Sequence, residues 1–337
     1  PSRWFPPPTE LCRQFAQLIN VKSTSVALIP SVSYGMATVA KNINLRAGQR
    51  IVSVGEVFPS GYYTWQRLAA DSAATLTLVG QPRNAQNPGE AWNTAILEAI
   101  TENCALVAVR PIHWSNGIVF DLAPIRARCT EVGARLVVDA TQWAGARPLD
   151  VRALGADAVV AAGYKWLGGG YALGYLYLDE RLHNGLPLEE NWANRANAAD
   201  FSKLTTWCDD YLPGAARYNV GERSKFIGVA MASRALQQLL EWGVNTVAEH
   251  TDALMAEYWA KFAEAGFALT APRYRSAHLF GLELPEGVDE TRLKAVLAKA
   301  QVIVSFRGRY LRVSPHVSSR PQDIEALLTA LEQYAKG

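Results

Sequence analysis

Apolar runs of three to six residues recur along the chain, and stretches with helical spacing separate most of them. The runs at 26–29, 51–54, 75–79, 105–109, 136–138, 158–162 and 173–178 read as buried strands. Helical patterns follow the first four of them: to about Ile43, to about Leu68, over 90–100 and over 121–132. Repeated strand–helix alternation predicts an α/β fold with a mainly parallel sheet and helices on both faces. Ahead of it, Pro6-Pro7-Pro8 reads as a stiff extended lead. Thr9 then caps a helix with Leu11, Phe15, Leu18 and Ile19 on one face. Residues 179–213 are polar and weakly periodic, an irregular excursion. Two helical stretches, 225–242 and 247–265, lead to a break at Gly266. Strand-like runs at 277–284, 301–306 and 310–313, with helices over 289–300 and 321–335, make a small C-terminal α+β domain. The expected division is 1–24 as an N-terminal arm and helix, 25–243 as a large α/β domain, and 244–337 as the small domain.

The stretch 136–177 organises the rest. Its first apolar run ends in Asp139, its second in Gly163-Tyr164-Lys165, and a Gly168-Gly169-Gly170 turn leads into the third. Ligands of open α/β sheets bind outside the carboxyl ends of the strands. An acid and a primary amine there suit an aldehyde cofactor whose ring nitrogen must stay protonated, namely pyridoxal phosphate (PLP). Lys165 would form the Schiff base, Asp139 would hold the ring nitrogen protonated, and Gln142 would donate to the ring oxygen. Taken alone, Asp139 also reads as a turn former, but Lys165 is harder to dismiss, since lysine is rarely buried unpaired. Ser31-Val32-Ser33, between a strand and a helix N-terminus, offers N–H groups and hydroxyls to a phosphate, or is an ordinary capped helix. Phe58 follows another strand and on its own reads as a core position. Arg312, in the apolar run Tyr310-Leu311-Arg312-Val313, needs an anionic partner, for which a structural ion pair is the plain reading. Arg307 and Arg309 read as solvent-facing, and His113 as a structural hydrogen-bonder.

The VVDATQ and GYKW stretches resemble the aminotransferase class V family of fold-type I PLP-dependent enzymes, which includes cysteine desulfurases, kynureninases and isopenicillin-N-epimerase-like proteins. The likeness runs from about Ser25 to the C-terminus. It implies the fold-type I PLP-dependent transferase fold, a homodimer, and an enzyme acting on an amino acid or small amine, with aminotransferase ranked before lyase and epimerase. It also implies site roles. Val32 and Ser33 match the phosphate loop, Phe58 the ring-stacking position, Asn116 a residue reaching the cofactor ring oxygen or substrate, and Arg312 the α-carboxylate arginine. Four departures stand out. Ala162 replaces a serine. Tyr164 replaces the histidine beside the lysine and could supply a phenolic hydroxyl instead. Glu222 replaces a threonine that binds the neighbouring subunit's cofactor phosphate, a task that would fall to Arg223 or Ser224. No cysteine lies between Leu279 and Arg312, where desulfurases carry theirs. Ala162 and Glu222 also motivate a second reading, a non-catalytic PLP-fold partner protein.

Composition narrows the rest. The 337 residues are 49% apolar, enough for a sizeable core, and the net charge of +2 comes without a basic run, which argues against nucleic acid. Cys12, Cys104, Cys129 and Cys208 lack metal or redox spacing, so no metal site and a reducing, cytoplasmic setting are expected. No apolar run has the length of a membrane span.

Overall fold

A computed structural model describes residues 4–336; Pro1–Arg3, the start of the expected N-terminal arm, lie outside them. The chain forms two compact units. The first holds the chain up to Arg83, Ala91–Pro111 and Asp121–Val244; the second holds Asn84–Glu90, Ile112–Phe120 and the chain from Asn245 on.

In the first unit the apolar runs form seven strands: β1 (Val26–Ile29), β2 (Arg50–Val54), β3 (Thr75–Val79), β4 (Cys104–Val109), β5 (Arg135–Asp139), β6 (Ala158–Ala162) and β7 (Gly174–Leu178). Their order is β1-β7-β6-β5-β4-β2-β3. The pairs from β6 through to β3 are parallel. Only β7 is reversed, pairing antiparallel with both β6 and β1. It follows that β1 runs in the direction of the parallel set. The carboxyl ends of β1, β2, β4, β5 and β6 therefore share one edge of the sheet. The central strands are buried on both faces, as parallel sheets require, while edge strand β3 is only partly covered.

The helices are α1 (Pro6–Leu18), α2 (Val32–Lys41), α3 (Pro59–Asp71), α4 (Pro88–Ala99), α5 (Leu122–Val132), the single turn α6 (Val151–Leu154) and α7 (Phe226–Trp242). The three prolines expected to be extended instead form the first turn of α1. Their missing N–H groups are ones that a helix start leaves unpaired in any case. Thr9 sits inside that turn, its hydroxyl donating to the Phe5 carbonyl at 2.9 Å. Gly35 lets α2 approach the sheet: a Cβ there would lie 2.6 Å from Ile29 Cδ1 and 2.9 Å from Val160 Cγ1. The core beneath α2 and α3 includes Met36, Val39, Trp65, Leu106, Val160 and Leu176.

Just ahead of β6, the buried Asp157 carboxylate accepts from the Leu136 N–H at 2.9 Å. It also pairs with Arg126, Arg135 and Arg181 at 3.0–3.1 Å. The 179–213 excursion is irregular, built from short 3-10 turns.

The second unit contains α8 (Val244–Ala256), α9 (Tyr258–Glu264), β8 (Phe280–Glu283), α10 (Glu290–Lys299), β9 (Ser305–Arg307), β10 (Tyr310–Val313) and α11 (Pro321–Lys336). The three strands form an antiparallel sheet, β8-β10-β9. Leu311, Phe280, Phe262, Leu293 and Leu327 fill its core. Two expectations shift. The helix expected over 247–265 is divided at Glu257, a break that nothing in the local sequence marks. The strand expected from 301 starts at Ser305, because Gln301 takes a left-handed φ of 56° as α10 ends and the next residues complete that turn. No helix among the described residues is long and apolar enough to cross a membrane.

Candidate active site

The shared edge of the first unit collects one chemically distinctive residue after each strand: Ser31 after β1, Phe58 after β2, Arg110 after β4, Asp139 at the end of β5, and Lys165 shortly after β6. The topology alone explains the gathering, since crossover connections return each strand to the same starting edge.

Asp139 is largely buried. One carboxylate oxygen accepts from the Thr141 N–H at 3.1 Å, and the other lies 3.6 Å from Arg110 Nη2. Thr141 in turn accepts from the Ala162 N–H at 3.3 Å, so the loop after β5 is tied to the end of β6. Arg110 was not singled out by sequence reasoning. It is 5% exposed, its Nε finds no hydrogen-bond partner, and burial pushes its pKa down while the Asp139 charge pushes it back up.

Lys165 projects from the glycine-rich turn. Gly163 donates to the Leu173 carbonyl at 2.9 Å and Gly169 to the Gly163 carbonyl at 2.8 Å. A Cβ on Gly163 would come within 2.7 Å of the Leu173 oxygen, so only glycine closes this turn. Lys165 is exposed, not buried as its setting between an apolar strand and a glycine turn suggested. Its Nζ lies 5.3 Å from the Tyr164 ring centroid. Tyr164 stacks on Tyr171, with centroids 4.2 Å apart and planes 11° from parallel. Burial, then the Tyr171 phenol, and also the Asp139 charge push the Tyr164 pKa up, so the phenol stays protonated. Gln142 accepts from Trp166 Nε1 at 2.9 Å, which fixes its amide and joins the loops after β5 and β6.

At the start of α2, Ser31 caps the helix by accepting from the Tyr34 N–H at 3.2 Å, and its hydroxyl lies 2.9 Å from that of Ser33. Val32 is the first residue of the helix. Phe58 occupies the N-cap of α3 and is 46% exposed, which excludes the core alternative.

Two expected residues belong to the second unit. Asn116 is buried, its side-chain oxygen accepting from the Ile118 N–H at 3.0 Å. Arg312 lies on β10, 9% exposed. Its Nη1 donates to the Trp114 carbonyl at 2.9 Å, and its Nε is buried without a partner. It forms no ion pair among the described residues. Burial, then the Arg307 charge, push its pKa down to about 10. The ion-pair alternative therefore does not hold, and an approaching anion would relieve a buried cation.

Other expectations are corrected. Arg307 lies 5.9 Å from the Trp114 ring centroid and Arg309 pairs with Glu283 at 2.7 Å, so both are partly buried. Arg223 donates to the Ala193 carbonyl and to Asn194 Oδ1, and the Ser224 hydroxyl donates to the Trp4 carbonyl. Both make these hydrogen bonds within the chain itself. His113 is fully buried with Nδ1 3.1 Å from the Ser115 hydroxyl, a structural setting.

The sequence matches the family described as aminotransferase class-V over residues 9–314. The chain belongs to this family. Its cofactor is accordingly pyridoxal phosphate, and it is a PLP-dependent class V enzyme. It is 28% identical to the uncharacterized aminotransferase YcbU of Bacillus subtilis, over 94% of this chain and 81% of that protein. It is 24% identical to a kynureninase of Burkholderia mallei, over 90% of this chain and 72% of that protein. Its fold is similar to a cysteine desulfurase from Thermococcus onnurineus (TM-score 0.82, 19% identity, covering 98% of this chain and 84% of that one). It is equally similar to the cystine C–S lyase C-DES (TM-score 0.82, 20% identity, 96% and 85%). The donor set fits the cofactor: an exposed primary amine after β6, a carboxylate held in place at the end of the neighbouring strand β5, and two hydroxyls at a helix start for a dianion.

Proposed function

We propose that this enzyme is an aminotransferase acting on an α-amino acid or a small amine. The observation that carries the amino-acid part is Arg312, a buried guanidinium with no carboxylate partner among the described residues. Lys165 would supply the amine that holds the cofactor and would move the Cα proton of the substrate. Asp139 holds a proton at the ring nitrogen. The Val32 N–H and the Ser33 hydroxyl take the phosphate, with Tyr164 as a further donor. Gln142 and Asn116 serve the ring oxygen or the substrate, and Phe58 offers its ring to the cofactor. Bound PLP supplies the electron sink for the pair left when the Cα–H bond breaks. Arg312 takes the substrate carboxylate through its fork. Replacing Arg312 by leucine should raise KM for the best amino acid by about 30-fold or more. Cofactor absorbance should stay unchanged. An unaltered KM would remove Arg312 from the reading.

A lyase reading is favoured by the likeness to kynureninase and to the cystine C–S lyase. The absence of a cysteine between Leu279 and Arg312 argues against a protein-bound persulfide. The two readings separate by product: an aminotransferase needs an amino acceptor to turn over, and a lyase releases ammonia and a 2-oxo acid without one.

We further infer a homodimer. Phe226, Ile227 and Met231 stand exposed on α7 at 57%, 79% and 57%, an apolar face that a second copy would cover. Light scattering should show a dimer, and Ile227→Glu should shift it toward monomer; a wild-type monomer would refute this. All four cysteines are free thiols, which supports a cytoplasmic setting.

A further inference from the structure

Arg110 is the one buried cation at the site edge for which the functional reading has no task. It leaves the end of β4 beside the end of β5, and Val109 pairs with Val138 in the ladder, so the next residues of both strands meet. A Cβ on Gly61, in the first turn of α3, would lie 3.8 Å from Arg110 Nη2 and 3.8 Å from the Met36 methyl. A helix start is a poor neighbour for a cation, because its N–H groups carry partial positive charge. The favourable charge that Arg110 meets is Asp139, 3.6 Å away, and burying a guanidinium with a single carboxylate is tolerable only while that carboxylate stays. Asp139 is faced by Arg110 from β4 and by the Tyr164 phenol from the loop after β6.

We propose that Arg110 is a positioning residue that shares Asp139 with the cofactor and thereby weakens the hold of Asp139 on the proton at the ring nitrogen. This rests on the PLP-dependent reading of Asp139. Physically, one carboxylate divides its charge between two cations. The guanidinium is permanent and the ring nitrogen is protonated or not, so Arg110 biases the ring toward its neutral form. It also holds one carboxylate oxygen, while the Thr141 N–H holds the other. The enzyme then runs with a moderated electron sink, a setting that this chain's own sequence selects at position 110.

The test loads wild type, Arg110→Met and Arg110→Lys with PLP labelled with 15N in the ring, and follows the ring-nitrogen shift against pH. In Arg110→Met the ring should stay protonated to higher pH, by about one unit, a tenfold gain in proton affinity. Arg110→Lys should titrate close to wild type. Superimposed titrations of wild type and Arg110→Met overturn the proposal. Arg110→Gln gives the same sign should the methionine variant fail to fold. A second readout needs no cofactor. In the full chain without PLP, Asp139→Asn should lower the melting temperature by leaving Arg110 uncompensated, and Arg110→Met/Asp139→Asn should recover it. Strict additivity would mean that the pair is not coupled, and would overturn the proposal by itself. Failure of wild type to take up PLP would sink the functional reading, whereas the melting cycle would still report on the pair, so the two failures are distinguishable.

Discussion

Lys165→Ala is expected to abolish the visible absorbance of the PLP-loaded protein and to lower turnover by about 10²–10⁴-fold or more, the range for losing a proton-transfer group. The argument is local. Lys165 is exposed, on a turn whose backbone is closed by the Gly163 and Gly169 hydrogen bonds. Truncating it should leave the melting temperature nearly unchanged, since exposed substitutions cost little. Function would then be lost without loss of fold. The check is absorbance, turnover and thermal melting on the same preparation. A variant that keeps the band would place the cofactor amine elsewhere.

The second large effect concerns stability. Asp157→Ala should destabilise the first unit by about 3 kcal/mol or more, the low end of what breaking a buried ion pair costs. Asp157 is 1% exposed and serves four donors: the Leu136 N–H and the guanidiniums of Arg126, Arg135 and Arg181. The arginines are partly exposed and can turn to water. The Leu136 N–H is buried and cannot, so its lost acceptor carries most of the cost. Because Leu136 lies in β5, the strand that ends in Asp139, cofactor affinity should fall with stability. Chemical denaturation with absorbance in parallel would check this. A melting curve within a degree of wild type would contradict it.

Much of the architecture was legible because strands buried on both faces need unbroken apolar runs, and those runs have a length of their own. The Asp139 and Lys165 positions followed from the same logic, as polar residues at the carboxyl ends of such runs. Arg312 was visible because a charge on an apolar strand asks for a reason. Arg110 was hidden for the opposite cause: it sits between a strand and Pro111, where a charged residue looks like the start of a loop. Only the pairing of β4 with β5 shows that it turns inward. The proline run was misread because three prolines suit an extended lead and a first helical turn equally. Packing of α1, where Phe15 stacks on Tyr175 at 4.3 Å, decides for the helix. Arg223 and Ser224 could not be placed from sequence because their partners lie in the irregular excursion and the N-terminal segment.

The most direct test of the central claim is the absorption spectrum of the purified protein with PLP, titrated with α-amino acids and with the matching amines that lack the carboxylate. The account predicts a visible band, changed by at least one α-amino acid far more than by its amine, with more than one equivalent of 2-oxo acid per enzyme formed only when an amino acceptor is supplied. Absence of any band after adding PLP would contradict it.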